Sequence, residues 1–179
     1  MTVLERSALD DGRRRMSRRE LAASVAAASA RLGPLARAGC RFAVLADNGC
    51  DWAVADLALH GLRAVNVPLP GYFTDAQLAH ALTQAGVDVV LTDDPARIAA
   101  LGMGFLPGLE GFPGVLGAPP GADRESRSPG DALGLAALRR DIAAASRPAL
   151  PVGTTKITYT SGSTGAPKGV CLSATSIES

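Results

Sequence analysis

The chain has 179 residues, is 47% hydrophobic and 20% charged, and carries a formal net charge of +1, which fits one domain or a piece of a larger one and excludes a disordered tail. Lys+Arg 18 against Asp+Glu 17 excludes a dedicated nucleic-acid binder, which needs a concentrated basic surface. No run reaches the roughly 18 consecutive apolar residues of a membrane span.

In chain order, Ser17-Arg18-Arg19 before an alanine-rich run has the outline of a twin-arginine export signal, but Arg31 and Pro34 break the apolar run. The segment reads instead as an amphipathic helix. Ser17 and Glu20 have capping-box spacing, and Leu21, Val25, Ala28 and Leu32 share one face. Arg13, Arg14 and Arg15 read as a solvated face. Arg41–Ala46 (RFAVLA) is a strand ended by the turn Asp47-Asn48-Gly49. Cys50–Leu62 is a helix with Trp52, Ala55 and Leu59 at core spacing. Ala64–Leu69 (AVNVPL) is the next strand, and Thr74 with Gln77 forms a second capping box, opening a helix that Gly86 stops. Val87–Thr92 (VDVVLT) is a third strand, and Asp93-Asp94 before Pro95 caps a short helix. Strands alternating with helices at this spacing predict an α/β fold with a parallel sheet and crossover helices over residues 17–101.

Residues 102–147 differ. Gly102–Gly130 is dense in Gly and Pro and reads as loop or linker with at most one short strand, followed by a weak helix over Ala132–Ala145. Residues 148–179 form the third part, where Lys156–Thr160 (KITYT) is a strand by alternation and β-branching. It runs into Ser161-Gly162-Ser163-Thr164-Gly165-Ala166-Pro167-Lys168-Gly169, and a second short apolar run, Val170–Leu172, follows. The expectation is a separate β-hairpin around a small-residue loop. Glycines at 162, 165 and 169 allow positive φ and close backbone approach. Amides on a turning backbone, the hydroxyls of Thr160, Ser161, Ser163 and Thr164, and the Lys168 ammonium together suit a polyphosphate. Other phosphate loops fail on spacing, because Pro167 and Gly169 stand where a Walker loop needs Gly and Ser or Thr. The nucleophile-elbow pattern fails as well, with Thr164 two residues after Gly162.

The segment Thr160–Val170, TSGSTGAPKGV, resembles the phosphate-loop signature of the adenylate-forming (AMP-binding) superfamily, which includes acyl-CoA synthetases and peptide-synthetase adenylation domains. SRRELAASVAAASARL resembles that family's first helix. RFAVLADNGCDWAVADLALHGLRAVNVPLPGYFTDAQLAHAL and VDVVLTDD resemble the segments that follow it. The resemblance covers roughly residues 17–101 and 146–173. It implies that a carboxylate, most simply a fatty acid, attacks the α-phosphate of ATP with Mg²⁺ to give an acyl-adenylate. The acyl group then passes to coenzyme A or to the phosphopantetheine thiol of an acyl carrier protein. It also implies that Thr160, Ser161, Gly162, Ser163, Thr164, Gly165 and Lys168 hold the β- and γ-phosphates.

In that family the adenine and acyl pocket, a metal-holding acid, a ribose-binding Asp and a distal catalytic Lys follow this loop. Here Ser173 is followed by Ala174, and the chain's two lysines are Lys156 and Lys168. The expectation is therefore an N-terminal fragment, lacking the C-terminal domain and inactive alone. The alternatives are a non-catalytic nucleotide- or phosphate-binding module and a remnant with no ligand. His60 and His80 read as surface or packing residues, Trp52 as core, and Cys40 and Cys50 as buried thiols. The three cysteines, odd in number and far apart, favour a reducing compartment and hence the cytoplasm.

Overall fold

A computed structural model describes residues 7–105, 135–139, 147–160 and 167–178. Two short strands, β1 (Ser7–Asp10) and β2 (Arg15–Ser17), pair antiparallel ahead of α1 (Arg18–Arg37). The capping box that opens α1 is formed: Glu20 N–H donates to Ser17 Oγ at 3.2 Å, and Ser17 N–H donates to the Glu20 carboxylate at 2.7 Å. The helix buries Ala28 and Leu32, rests Leu21 and Val25 on the same core, and runs on through Pro34.

Next come β3 (Phe42–Leu45), α2 (Cys50–Gly61), β4 (Asn66–Pro68), α3 (Asp75–Ala85), β5 (Val89–Thr92) and α4 (Pro95–Ala100). β3 lies between β4 and β5 and is parallel to both, with Ala43 opposite Val67 on one side and Val90 on the other. Successive residues of a strand point to opposite faces, and a parallel strand covered on both faces is apolar throughout. Accordingly Phe42 and Val44 enter a core with α1 and α2, while Ala43 and Leu45 enter a second core with α3 and α4. The second capping box (Thr74, Gln77) is formed, Gly86 ends α3 at φ 62°, and the Asp94 carboxylate accepts from Arg97 N–H at 3.1 Å to cap α4.

The remaining elements are β6 (Gly104–Phe105), β7 (Ala136–Arg139), β8 (Thr154–Thr160), β9 (Lys168–Ser173) and a short helix, α5 (Ala174–Glu178). They complete a seven-stranded sheet in the order β6-β7-β5-β3-β4-β8-β9. Two sequence expectations are corrected. Within the weak helix expected over 132–145, residues 136–139 are β7, paired antiparallel to β5 with Leu138 opposite Val90. Full burial of Leu138 stabilises by about 1.5–3 kcal/mol, which outweighs helix propensities that differ by a few tenths of a kcal/mol between residues. Leu135, just before β7, is buried and not helical, and the remainder of that expected helix, with the linker after Phe105, lies outside the described residues. Second, the β pair is not separate, because β8 joins the sheet in parallel beside β4.

The β1–β2 turn has a function that no local pattern announces. Helix α2 begins at Gly49, an N-cap without a side chain. Asp11 takes its place from across the fold, its carboxylate accepting from Cys50 N–H at 3.0 Å and from Arg13 and Arg14 N–H at 2.9 and 2.7 Å. A Cβ on Gly49 would stand 3.1 Å from that carboxylate, so the missing side chain also makes room for it. Arg14, read as solvated, is half-buried and pairs with Asp51 at 3.3 Å. Burial pushes the Cys50 thiol up to about 11, which leaves it an unreactive core thiol.

The backbone donors, Cys50 N–H first, hold the Asp11 carboxyl well below its ordinary value. A depressed folded-state pKa gives stability that is complete above the unfolded carboxylate range and is lost as pH falls through the folded value. Asp11→Asn should therefore lower stability at neutral pH by about 1 kcal/mol, a capping value kept small because the group is solvent-exposed. Urea unfolding of parent and variant should show the gap closing as pH drops below about 4.

Candidate functional site

β3, β4, β5 and β8 run in one direction, so their carboxyl ends share one edge of the sheet. The connections leaving β3 and β4 cross to opposite faces, α2 to one core and α3 to the other. In open α/β sheets, ligands bind at such a carboxyl edge, in the crevice where neighbouring connections diverge. The segment TSGSTGAPKGV starts at the end of β8, on this edge.

β8 is tied down at three levels. Before it, the Arg147 guanidinium pairs at 2.7 Å with Asp88, a carboxylate only 1% exposed, and Arg41 donates to the Pro148 carbonyl at 2.8 Å. At its middle, Lys156 sits opposite Asn66 of β4. The Asp56 carboxylate of α2 accepts from both side chains, from Lys156 Nζ at 2.8 Å and from Asn66 Nδ2 at 2.7 Å. On the other face, Ile157 is buried under α3, and the Tyr159 hydroxyl donates to the Ala81 carbonyl at 3.1 Å.

β8 and β9 pair antiparallel, with Thr158 opposite Val170, Tyr159 opposite Gly169 and Thr160 opposite Lys168. Directly opposed residues project from the same face. Thr160 and Lys168 are therefore side by side, on the face of Lys156 and away from α3, and both are exposed. Of the predicted phosphate-binding residues, these are the two that the structure places. Ser161, Gly162, Ser163, Thr164 and Gly165 lie outside the described residues. Gly169 has no positive φ. Its missing side chain serves close approach instead, since a Cβ there would meet the Tyr159 ring at 3.1 Å.

Sequence reasoning missed Asp56 and Asn66. The available signal was a lone acid in the apolar run WAVADLAL and a lone lysine in KITYT, two opposite charges on segments otherwise built for a core. It also missed Arg97, which fixes the connection after β4. Arg97 donates to the carbonyls of Gly71 and Phe73 and pairs with Asp75 at 2.8 Å, while Tyr72, 80% exposed, stands edge-on to Phe73. Trp52 packs against the core only partly buried, and His60 and His80 are exposed. No cluster of three potential metal-ligating side chains occurs among the described residues. None of the described helices is long and apolar enough to cross a membrane.

The family model for AMP-binding enzymes matches residues 2–179. The chain belongs to the AMP-binding enzyme family. Among solved structures, the inhibitor-bound N-terminal domain of FACL13 from Mycobacterium tuberculosis is 26% identical, with a TM-score of 0.59 over 93% of this chain and 39% of that one. A malonyl-CoA ligase in a ternary product complex with methylmalonyl-CoA and AMP is 27% identical, with a TM-score of 0.54 over 96% of this chain and 30% of that one. Among curated proteins, the polyketide synthase-nonribosomal peptide synthetase pyiS of Pyricularia grisea is 31% identical over 138 residues, which is 76% of this chain and 3% of that protein. The chain thus spans well under half the length of these AMP-binding relatives.

The Asp56 junction is testable by a double-mutant cycle. Asp56→Ala should cost about 1–2 kcal/mol in urea unfolding, because Lys156 and Asn66 both lose their acceptor. Lys156→Met should cost less in the Asp56→Ala background than in the parent, with a coupling of about 0.5–1.5 kcal/mol. Additive costs would mean that the Asp56–Lys156 pair does not help to hold β8.

Proposed function

We propose that the chain is the phosphate-holding part of an AMP-forming ligase that activates a carboxylic acid, most simply a fatty acid, as its acyl-adenylate. The acyl group passes to the thiol of coenzyme A or of a carrier protein. The observation that carries this reading is the register of β8 on β9, which sets Thr160 beside Lys168 at the two ends of TSGSTGAPK, on the carboxyl edge of the sheet. The ligands in the malonyl-CoA ligase complex, AMP and an acyl-CoA, support the reaction class, and the peptide-synthetase relative supports a carrier protein as the other acceptor.

In this reading Thr160, Ser161, Gly162, Ser163, Thr164, Gly165 and Lys168 hold the β- and γ-phosphates of ATP. Backbone amides and hydroxyls donate to the phosphate oxygens, and Lys168 supplies a positive charge. Charge that builds on the departing pyrophosphate then meets donors already in place, where one lost donor typically costs about 10²–10³ in rate. The described residues fit such a group: Thr160 and Lys168 are exposed on one face. Mg²⁺ bound with ATP would neutralise phosphate charge. No cluster of three potential metal-ligating side chains occurs among the described residues, and the resemblance assigns the metal-holding acid to a segment that follows this loop. All three cysteines are free thiols, which suits a cytoplasmic setting.

The 179 residues alone should not adenylate, because the resemblance assigns the adenine, ribose and acyl pockets to segments beyond this chain. ATP–pyrophosphate exchange with a panel of fatty and aryl acids should stay at background, equal to a Lys168→Ala control. Phosphate contacts without a base pocket should give a dissociation constant for Mg-ATP of about millimolar or weaker. A micromolar constant abolished by Lys168→Ala would instead identify a self-sufficient nucleotide-binding module.

A further inference from the structure

The face of β8 turned away from Thr160 and Lys168 carries a feature that the phosphate reading does not use. The Tyr159 ring lies across the β8–β9 pair onto Gly169, where an added Cβ would come within 3.1 Å of Cζ, 3.3 Å of Cε1 and 3.1 Å of Ile157 Cγ2. Such contacts require the neighbours to give way, and neither is free to do so. Ile157 is 2% exposed, and the Tyr159 hydroxyl is fixed to the Ala81 carbonyl in the middle of α3. Tyr159 and Gly169 are the residues next to Thr160 and Lys168 on their respective strands, and they are themselves directly opposed.

We propose that Tyr159 is a positioning residue, whose ring, seated on Gly169 and bonded to α3, sets the separation and orientation of Thr160 and Lys168 at the phosphate site. This inference rests on the phosphate reading. Turning at Tyr159 would rotate both strand ends together, since the ring spans them. A preset arrangement of donor and charge spares the site the ordering that a loosely held pair would require on binding. Burial pushes the phenol up to about 12, so the hydroxyl remains a protonated donor across the working pH range. The glycine in Pro-Lys-Gly is thereby accounted for by the tyrosine opposite it.

Inorganic pyrophosphate titrated into the full chain, followed by amide NMR shifts, tests the proposal together with the thermal midpoint of each variant. Tyr159→Phe removes only the hydroxyl, and Gly169→Ala pushes a methyl against the ring and against Ile157. Each should weaken pyrophosphate binding about three- to tenfold, the scale of one neutral hydrogen bond, with a small drop in midpoint for Tyr159→Phe and a larger one for Gly169→Ala, which also crowds Ile157. The double variant should bind no more weakly than the worse single, because both act through one ring. If Gly169→Ala fails to fold, Tyr159→Phe decides, since it keeps the ring volume. Parent-like affinity in Tyr159→Phe, with binding lost in Lys168→Ala, would overturn the positioning inference and leave the phosphate reading standing. Absence of binding by the parent at pyrophosphate well above the millimolar range, or binding indifferent to Lys168→Ala, would overturn both.

Discussion

One carboxylate, that of Asp56, decides where the chemically distinctive strand sits. β8 arrives late in the chain and meets the parallel core through a short contact with β4, Asn66 opposite Lys156. Backbone pairing that brief gives weak register control. The side chains supply the rest, because Asp56 takes a hydrogen bond from each of the two opposed residues and so ties α2, β4 and β8 at one point. A slip by one residue would carry Lys156 to the α3 face and Ile157 out of its core, exchanging a paired charge for a buried one. Strand alternation from that lock decides which face Thr160 and Tyr159 occupy.

The two cores make this arrangement rigid from both sides. β3 is apolar along its length and β5 as far as Thr92 because helices cover both faces, and the helix connections of β3 and β4 diverge above their carboxyl ends. Arg97 stiffens the connection after β4 by holding two carbonyls and a carboxylate. At the opposite edge, the buried Asp88 binds Arg147 and the Arg41 amide, so the segment entering β8 starts from a fixed place. β9 forms the outer edge of the described sheet, with Val170 47% exposed, and it is held by β8 on one side alone.

What could be read from the sequence was what is encoded locally. Both capping boxes, the left-handed glycine after α3 and the Asp94 cap are formed by residues three or four apart, and each reading survived. The motif beginning at Thr160 could be recognised, and the structure adds the register of its two ends, while Ser161 to Gly165 remain a proposal. What escaped depends on distant partners. Asp11 caps a helix that begins 39 residues later. Leu138 lies in an alanine-rich run whose local preference is helical, and burial against β5 decides otherwise. Gly169 reads in the sequence as a place for positive φ and close approach; its φ is not positive, and what approaches it is the ring of a residue ten positions earlier.

The ion pair at Asp56 also decides which lysine is open to amine-directed reagents. Of its two lysines, Lys156 is engaged with a carboxylate and has a side chain only 22% exposed, whereas Lys168 is exposed at the start of β9. An ammonium held as a hydrogen-bonded ion pair is a poor nucleophile, since it must lose its proton and its partner before attack. Amine-directed acylation therefore has one accessible lysine in this chain, and that lysine is the candidate phosphate ligand. Enzymatic or chemical acetylation, by removing that charge, would act on the site without altering any residue of the fold.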